Sequence, residues 1–152
     1  MQFPDHLIAS NILLRIARRD DPDHAAVDAA LARLALSGAT LYYTQQNIAE
    51  FWNVATRPAD RNGFGLAAPD VDREVRAIEK GMVLLTDNEG AYRQWRQLVV
   101  AYSVLGVKVH DARLAAVMKV HGVTHLVTLN TDDFERYPHV TAVHPGSLAP
   151  AG

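Results

Sequence analysis

The chain contains no cysteine, which excludes disulfides and thiolate metal sites. Long apolar runs are missing too, and none approaches the roughly 20 residues needed to span a bilayer. The opening stretch Met1-Gln2-Phe3-Pro4-Asp5-His6 has neither the cationic start nor the apolar segment of a secretory signal. A cytoplasmic protein without membrane association is expected. Excess charge is small, at −2, so the surface as a whole offers no broad electrostatic footprint for nucleic acid. Lysine is scarce, three residues against twelve arginines, and arginine is the side chain whose planar fork matches phosphate. A nucleophile elbow, a Walker loop and a dinucleotide fingerprint are absent, and no His-x-x-x-His spacing indicates zinc.

What remains is an ordinary globular composition. The 152 residues, 49% hydrophobic and 21% charged, suit one domain spanning 1–152 with its own core. The pattern along the chain predicts a strand at His6–Ala9, then a helix from Ser10 to about Arg18 capped by Ser10 or Asn11. Asp20-Asp21-Pro22-Asp23 interrupts it, with Pro22 in a first-turn position. A helix over His24–Leu36 stops at Ser37-Gly38, a strand follows at Thr40–Tyr43, and Thr44 caps a helix from Gln45 to about Ala55. Residues 57–69 read as a loop, Asp70–Lys80 as a helix, Met82–Leu85 as a short apolar run and Glu89–Leu105 as a helix. Val107–His110 reads as extended, Asp111–His121 as a helix, and Thr124–Asn130 and Val140–His144 as strands. Such alternation argues for an α/β fold with a mainly parallel sheet.

Two carboxylates acquire a shared address from this pattern. A helix from Asp111 to His121 rises ~16 Å, and the run from Thr124 to Asn130 travels back ~20 Å if extended. With a tight turn at Gly122 between them, Asp133 returns to the level of Asp111. Ligands of parallel sheets gather beyond the carboxyl ends of the strands. Ser10 and Asn11 follow the first strand there, and Glu50 lies on the helix after the second. Paired carboxylates at such an edge suit a hard divalent cation. Each residue also has a plainer role: Asp111 as a helix-start aspartate, Asp133 as a turn residue, Glu50 as a solvated side chain opposite the apolar face of Ile48, Phe51, Trp52 and Ala55. Arg57 and Arg61, with Asn62-Gly63-Phe64-Gly65, read either as a solvated loop or as a mobile basic loop suited to RNA backbone contact and base stacking.

Four segments taken together resemble the PIN domain, the fold of many bacterial toxin ribonucleases of the VapC type. They are Leu7-Ile8-Ala9-Ser10-Asn11-Ile12-Leu13-Leu14-Arg15, Asn47-Ile48-Ala49-Glu50-Phe51, His110-Asp111-Ala112-Arg113-Leu114 and Thr128-Leu129-Asn130-Thr131-Asp132-Asp133-Phe134. The resemblance implies a three-layer α/β/α fold and a metal-dependent endoribonuclease that uses Mg²⁺ or Mn²⁺. It further implies a homodimer and a small antitoxin partner. Glu50, Asp111 and Asp133 match three of the family's four acidic positions, Asn11 and Ser10 match its polar neighbours, and Asn130 matches a polar residue near the fourth acid. The first acid is replaced by Ala9. Asp5 shares strand parity with Ala9 but lies ~13 Å back along an extended strand, too far to substitute. The resemblance therefore implies an RNA-hydrolysing fold with impaired activity, or a catalytically inactive PIN-like module that binds RNA or a protein partner.

Overall fold

The computed structural model describes residues 2–148, so Met1 and residues 149–152 of the expected 1–152 domain lie outside the described part. Five short strands form one sheet: β1 (His6–Ile8), β2 (Leu41–Thr44), β3 (Val83–Leu85), β4 (His125–Val127) and β5 (Thr141–Val143). Their order is β3-β2-β1-β4-β5 and every pairing is parallel. Parallel neighbours require crossovers, and six helices supply most of them: α1 (Ser10–Ala17), α2 (His24–Leu36), α3 (Gln45–Thr56), α4 (Ala68–Gly81), α5 (Glu89–Ala101) and α6 (Val109–His121).

Side chains along a strand alternate between faces, and here both faces are apolar because both are covered. Ile8, Leu41, Tyr43 and Val127 pack with α1 to α4, whereas Leu7, Leu85 and Leu126 pack with α5 and α6. The result is the three-layer α/β/α arrangement that the resemblance implies. No helix among the described residues is long and apolar enough to cross a membrane.

The strand order positions the site. From β1 the chain winds outward through β2 to β3, then returns to the other side of β1 with β4. This reversal opens a crevice between the carboxyl ends of β1 and β4, where parallel sheets bind their ligands. The register sets the two ends level, with Ile8 opposite Val127, and the Ala9 N–H donates to the Val127 carbonyl at 3.0 Å. Between α6 and β4, Gly122 adopts a left-handed conformation at φ 70°, and the Val123 N–H closes onto the Met118 carbonyl. The tight return expected at Gly122 is present.

Several local expectations are corrected. Neither Ser10 nor Asn11 caps α1: the cap position is Ala9, with no side-chain hydrogen bond, and both polar side chains turn instead to tertiary partners. Pro22 lies outside α2, whose cap is Asp23. The α5 helix ends at Ala101 rather than continuing to Leu105, and Ser103 leaves it with a positive φ of 49°. Val107–His110 is not extended. Gly106–Lys108 form a 3₁₀ turn that runs into α6 at Val109, so β-branched Val107 and Val109 suggested a strand where helix propagation prevailed. The apolar run at Met82–Leu85 contains edge strand β3.

Candidate metal and RNA cleft

Ala9, Ser10, Asn11, Glu50, Asp111, Thr128, Asn130 and Asp133 line one cleft of about 280 Å³ at the β1–β4 crevice. Each side chain arrives there for a local reason. Thr44 caps α3 through a reciprocal box with Asn47, which starts the helix sharply after β2 and sets Glu50 on the turn beyond. Asn47 is fully buried, and its side-chain NH₂ group is left to face Ser10. Asn47 Nδ2 donates to Ser10 Oγ at 3.3 Å, and Ser10 Oγ donates to Glu50 Oε1 at 2.6 Å. One chain of hydrogen bonds thus runs from the α3 cap to the Glu50 carboxylate. The expectation of Glu50 as an openly solvated residue gives way to a half-buried, oriented one.

A second clamp joins the two strand ends. Asn11 Nδ2 donates to Thr128 Oγ1 at 3.0 Å, and Asn11 Oδ1 accepts from the Leu129 N–H at 3.2 Å. Thr128 Oγ1 also accepts from the Asn130 N–H, and the Asn130 carbonyl accepts from the Asp133 N–H. These bonds close residues 131–134 into a 3₁₀ turn that presents Asp133 to the cleft.

Asp111 stands in the first turn of α6 and is half-buried. Burial is the main cause that pushes its carboxyl above the usual range; the negative charges of Asp133 and then Glu50 add to the effect, while Lys108 opposes it. Asp111 therefore senses both of the other carboxylates in the cleft. Lys108, absent from the sequence-based site, donates from Nζ to Asp133 Oδ1 at 2.7 Å. That bond raises the ammonium above its ordinary value. Nothing in the local pattern announces this partner, because the two residues are 25 positions apart in the chain.

The donor set suits a hard cation in chemistry more than in present spacing. Three carboxylates share a cleft, but Ser10 engages one oxygen of Glu50 and Lys108 one of Asp133. Among the described residues, no three His, Cys, Asp or Glu side chains stand close enough to enclose an ion. An ion that keeps several water ligands, as Mg²⁺ does, fits such an open set.

Arg57 and Arg61 lie on a separate segment and do not line the cleft. Arg57 Nη2 donates to the Asn62 carbonyl, and Arg61 is exposed in a 3₁₀ turn at Ala59–Arg61. Their loop is tied down rather than free: the N–H groups of Phe64, Gly65 and Leu66 donate to the carbonyls of Val54, Arg57 and Ala55. Phe64 packs against the core with the Arg18 guanidinium 4.3 Å from its ring centroid. A ring covered in this way is not presented for base stacking. Asp5, whose carboxylate accepts from the Thr40 N–H, stays at the opposite end of the strands.

The chain matches the PIN domain family over residues 7–140, and it belongs to that family. No curated protein matches it significantly. Among solved structures it is similar to VapBC2 from Rickettsia felis bound to a DNA fragment from its promoter, with a TM-score of 0.68 and 13% identity. That match covers 93% of this chain and 98% of the other. FitAcB from Neisseria gonorrhoeae gives a TM-score of 0.61 and 18% identity over 94% of this chain and 98% of the other. VapC20 from Mycobacterium tuberculosis, a Sarcin-Ricin loop cleaving toxin, gives 0.59 and 14% over 80% and 87%. At these identities the likeness is one of fold.

Proposed function

We propose that this chain is a toxin-type, metal-dependent endoribonuclease whose activity is impaired by alanine at position 9. The observation that carries the reading is the convergence of Glu50, Asp111 and Asp133 on one cleft, with Ala9 lining the same cleft. Carboxylates that share one cleft repel one another and favour a cation among them. Asp111 and Asp133 would hold Mg²⁺ or Mn²⁺ directly, and Glu50 would hold it through water. A bound ion of this kind supplies an activated water and neutralises charge that builds on the phosphate.

The chain's own residues do the positioning. Ser10, steadied by Asn47, fixes the Glu50 carboxylate so that it can orient a water and receive its proton. Asn11 keeps the β1 and β4 ends at a fixed separation and thereby sets the distance between Ser10 and the Asp133 turn. With Ala9 in place the cage has three acids. Loss of one principal catalytic contact commonly costs about a hundred- to a thousand-fold in rate.

The other reading is a catalytically inactive PIN-like module that binds RNA or a protein partner. The Lys108–Asp133 ion pair favours it, since an internal cation satisfies one of the three carboxylates. Similar folds have been solved as VapBC and FitAB complexes, which supports a small antitoxin partner; a homodimer acting in the cytoplasm is part of the same proposal. Arg57 and Arg61 would then serve RNA through backbone contact away from the cleft.

Cleavage of a mixed RNA pool with Mg²⁺ or Mn²⁺ separates the two readings. Under the first, Ala9→Asp gains metal-dependent cleavage, and Asp111→Asn in that background abolishes it. Absence of cleavage by Ala9→Asp with either metal assigns the chain to the second.

A further inference from the structure

The geometry points to a nucleobase subsite beside the cleft, formed between α5 and the start of α6, that holds one base of a single-stranded RNA. The inference rests on the RNA-binding reading above and specifies where the strand lies. A cavity of about 470 Å³ is lined by Tyr92, Trp95, Asp87, Asn88, His110 and Arg113, ample for a base and its ribose.

Its walls are aromatic, and Trp95 is anchored to the backbone. Tyr92 and Trp95 stand three residues apart on α5, hence on one helix face, with ring centroids 6.2 Å apart and planes inclined by 35°. The indole Nε1–H donates to the Val109 carbonyl at 2.8 Å, and Arg96 Nη1 donates to the Tyr92 hydroxyl at 3.2 Å. An anchored indole loses little freedom when a base stacks on it. The polar rim suits a neutral ring with mixed edges. Arg113 and Asp87 neutralise each other at 2.6 Å, and Asn88 uses its carboxamide oxygen to cap α5. The Asn88 NH₂ and the His110 ring have no hydrogen-bond partner among the described residues, leaving both for a ligand.

Continuity with the cleft selects the occupant. His110 precedes Asp111, and a groove lined by Glu50, Gln46, Asn53, His110 and Arg113 joins the cavity to the carboxylates. Gln46 Nε2 donates to the His110 carbonyl, which fixes the groove's two sides relative to each other. A strand with its scissile phosphate at Glu50 and Asp111 would carry the neighbouring phosphate past His110 and Arg113, and its base would reach Trp95. A stacked base explains the aromatic walls, the neutral rim and the link to a phosphate-cleaving site together.

Trp95 reports on its own site. The chain has two tryptophans, and Trp52→Phe leaves Trp95 as the sole emitter. A fluorescein-labelled single-stranded oligoribonucleotide, titrated in Mg²⁺, is followed by anisotropy for binding and by unlabelled-RNA quenching of Trp95 for stacking. Saturable quenching that tracks the anisotropy is expected. Tyr92→Ala, at a half-exposed position, should weaken RNA binding about tenfold without altering the circular dichroism spectrum. Binding by anisotropy with no Trp95 quenching and no effect of Tyr92→Ala overturns the subsite alone and leaves the cavity to a protein ligand. Absence of any RNA binding overturns the RNA reading itself.

Discussion

Lys108 Nζ lies 2.7 Å from Asp133 Oδ1, at the edge of the cleft that Ala9 also lines. On the reading proposed above, a carboxylate missing at one wall is accompanied by a positive charge at another. Both changes lower the cleft's attraction for a divalent ion. Asp133 is about one-third exposed and Lys108 somewhat more, so water screens the pair and its worth to folding is small.

Lys108→Met keeps the apolar stem and removes the charge. Folding stability should hardly change, whereas Mg²⁺ affinity should rise about threefold to tenfold, since a freed Asp133 and one fewer cation each favour the ion. Isothermal titration calorimetry reads the affinity and thermal unfolding reads the stability. Unchanged affinity would show that Lys108 does not compete for Asp133.

Much of this arrangement is legible in the sequence, for identifiable reasons. The α2 limits at His24 and Leu36 follow from a breaker cluster before and Gly38 after, whose φ of 88° suits only glycine well. Asp111 and Asp133 reach one cleft as the return-distance estimate predicts, although the expected strand Thr124–Asn130 shortens to His125–Val127 and the 3₁₀ turn Thr131–Phe134 completes the return. Contacts that depend on packing are not legible in this way. Phe64 looks like a free aromatic in a Gly-rich loop until Arg18, from the distant end of α1, is seen over its ring. Ser10 looks like a helix cap because Ser caps helices, but Glu50 and Asn47 take its hydroxyl. The signal available for Asn47 was its place three residues after Thr44, which is the spacing of a capping box.

Refilling position 9 should cost stability before it restores chemistry. Ala9 is 4% exposed and packs with Leu7 and Ala112 in the same apolar cluster. Ala9→Asp would bury a carboxylate next to like charges, at a cost of about 1–3 kcal/mol without metal. Mg²⁺ should recover that loss, because an ion that binds only the folded state stabilises it. Thermal unfolding with EDTA and with Mg²⁺ checks both halves; equal melting temperatures in the two conditions would argue against a cation at the repaired cage.

Asp111 gives a pH signature of definite sign. Its folded carboxyl titrates above its unfolded value, chiefly through burial and then through Asp133 and Glu50. The native state thus holds the proton more tightly, and ionised Asp111 subtracts from stability at neutral pH. Asp111→Asn should be more stable than the parent chain in EDTA at pH 7. The advantage should shrink as pH falls and vanish below about 3.9, where the unfolded carboxyl is also protonated. Urea unfolding across this range measures it.

The loop after α3 depends on one glycine. A Cβ built on Gly63 would meet the Arg57 carbonyl oxygen at 1.9 Å, and that group is backbone and cannot swing aside. The N–H of Gly63 donates to the Pro58 carbonyl, so the close approach is part of the loop's own bonding. Gly63→Ala should cost about 2–4 kcal/mol by chemical denaturation, while Gly81→Ala, where a Cβ meets nothing within 4 Å, should cost far less. Equal effects at the two positions would contradict this packing.

Binding of Mn²⁺ followed by electron paramagnetic resonance, for the parent chain, Ala9→Asp and Asp111→Asn, tests the shared cleft most directly. The expected order is tight binding by Ala9→Asp, weak binding by the parent chain, and none above background once Asp111 is amidated. Indistinguishable titrations for all three proteins would mean that Glu50, Asp111 and Asp133 do not act on a common ion.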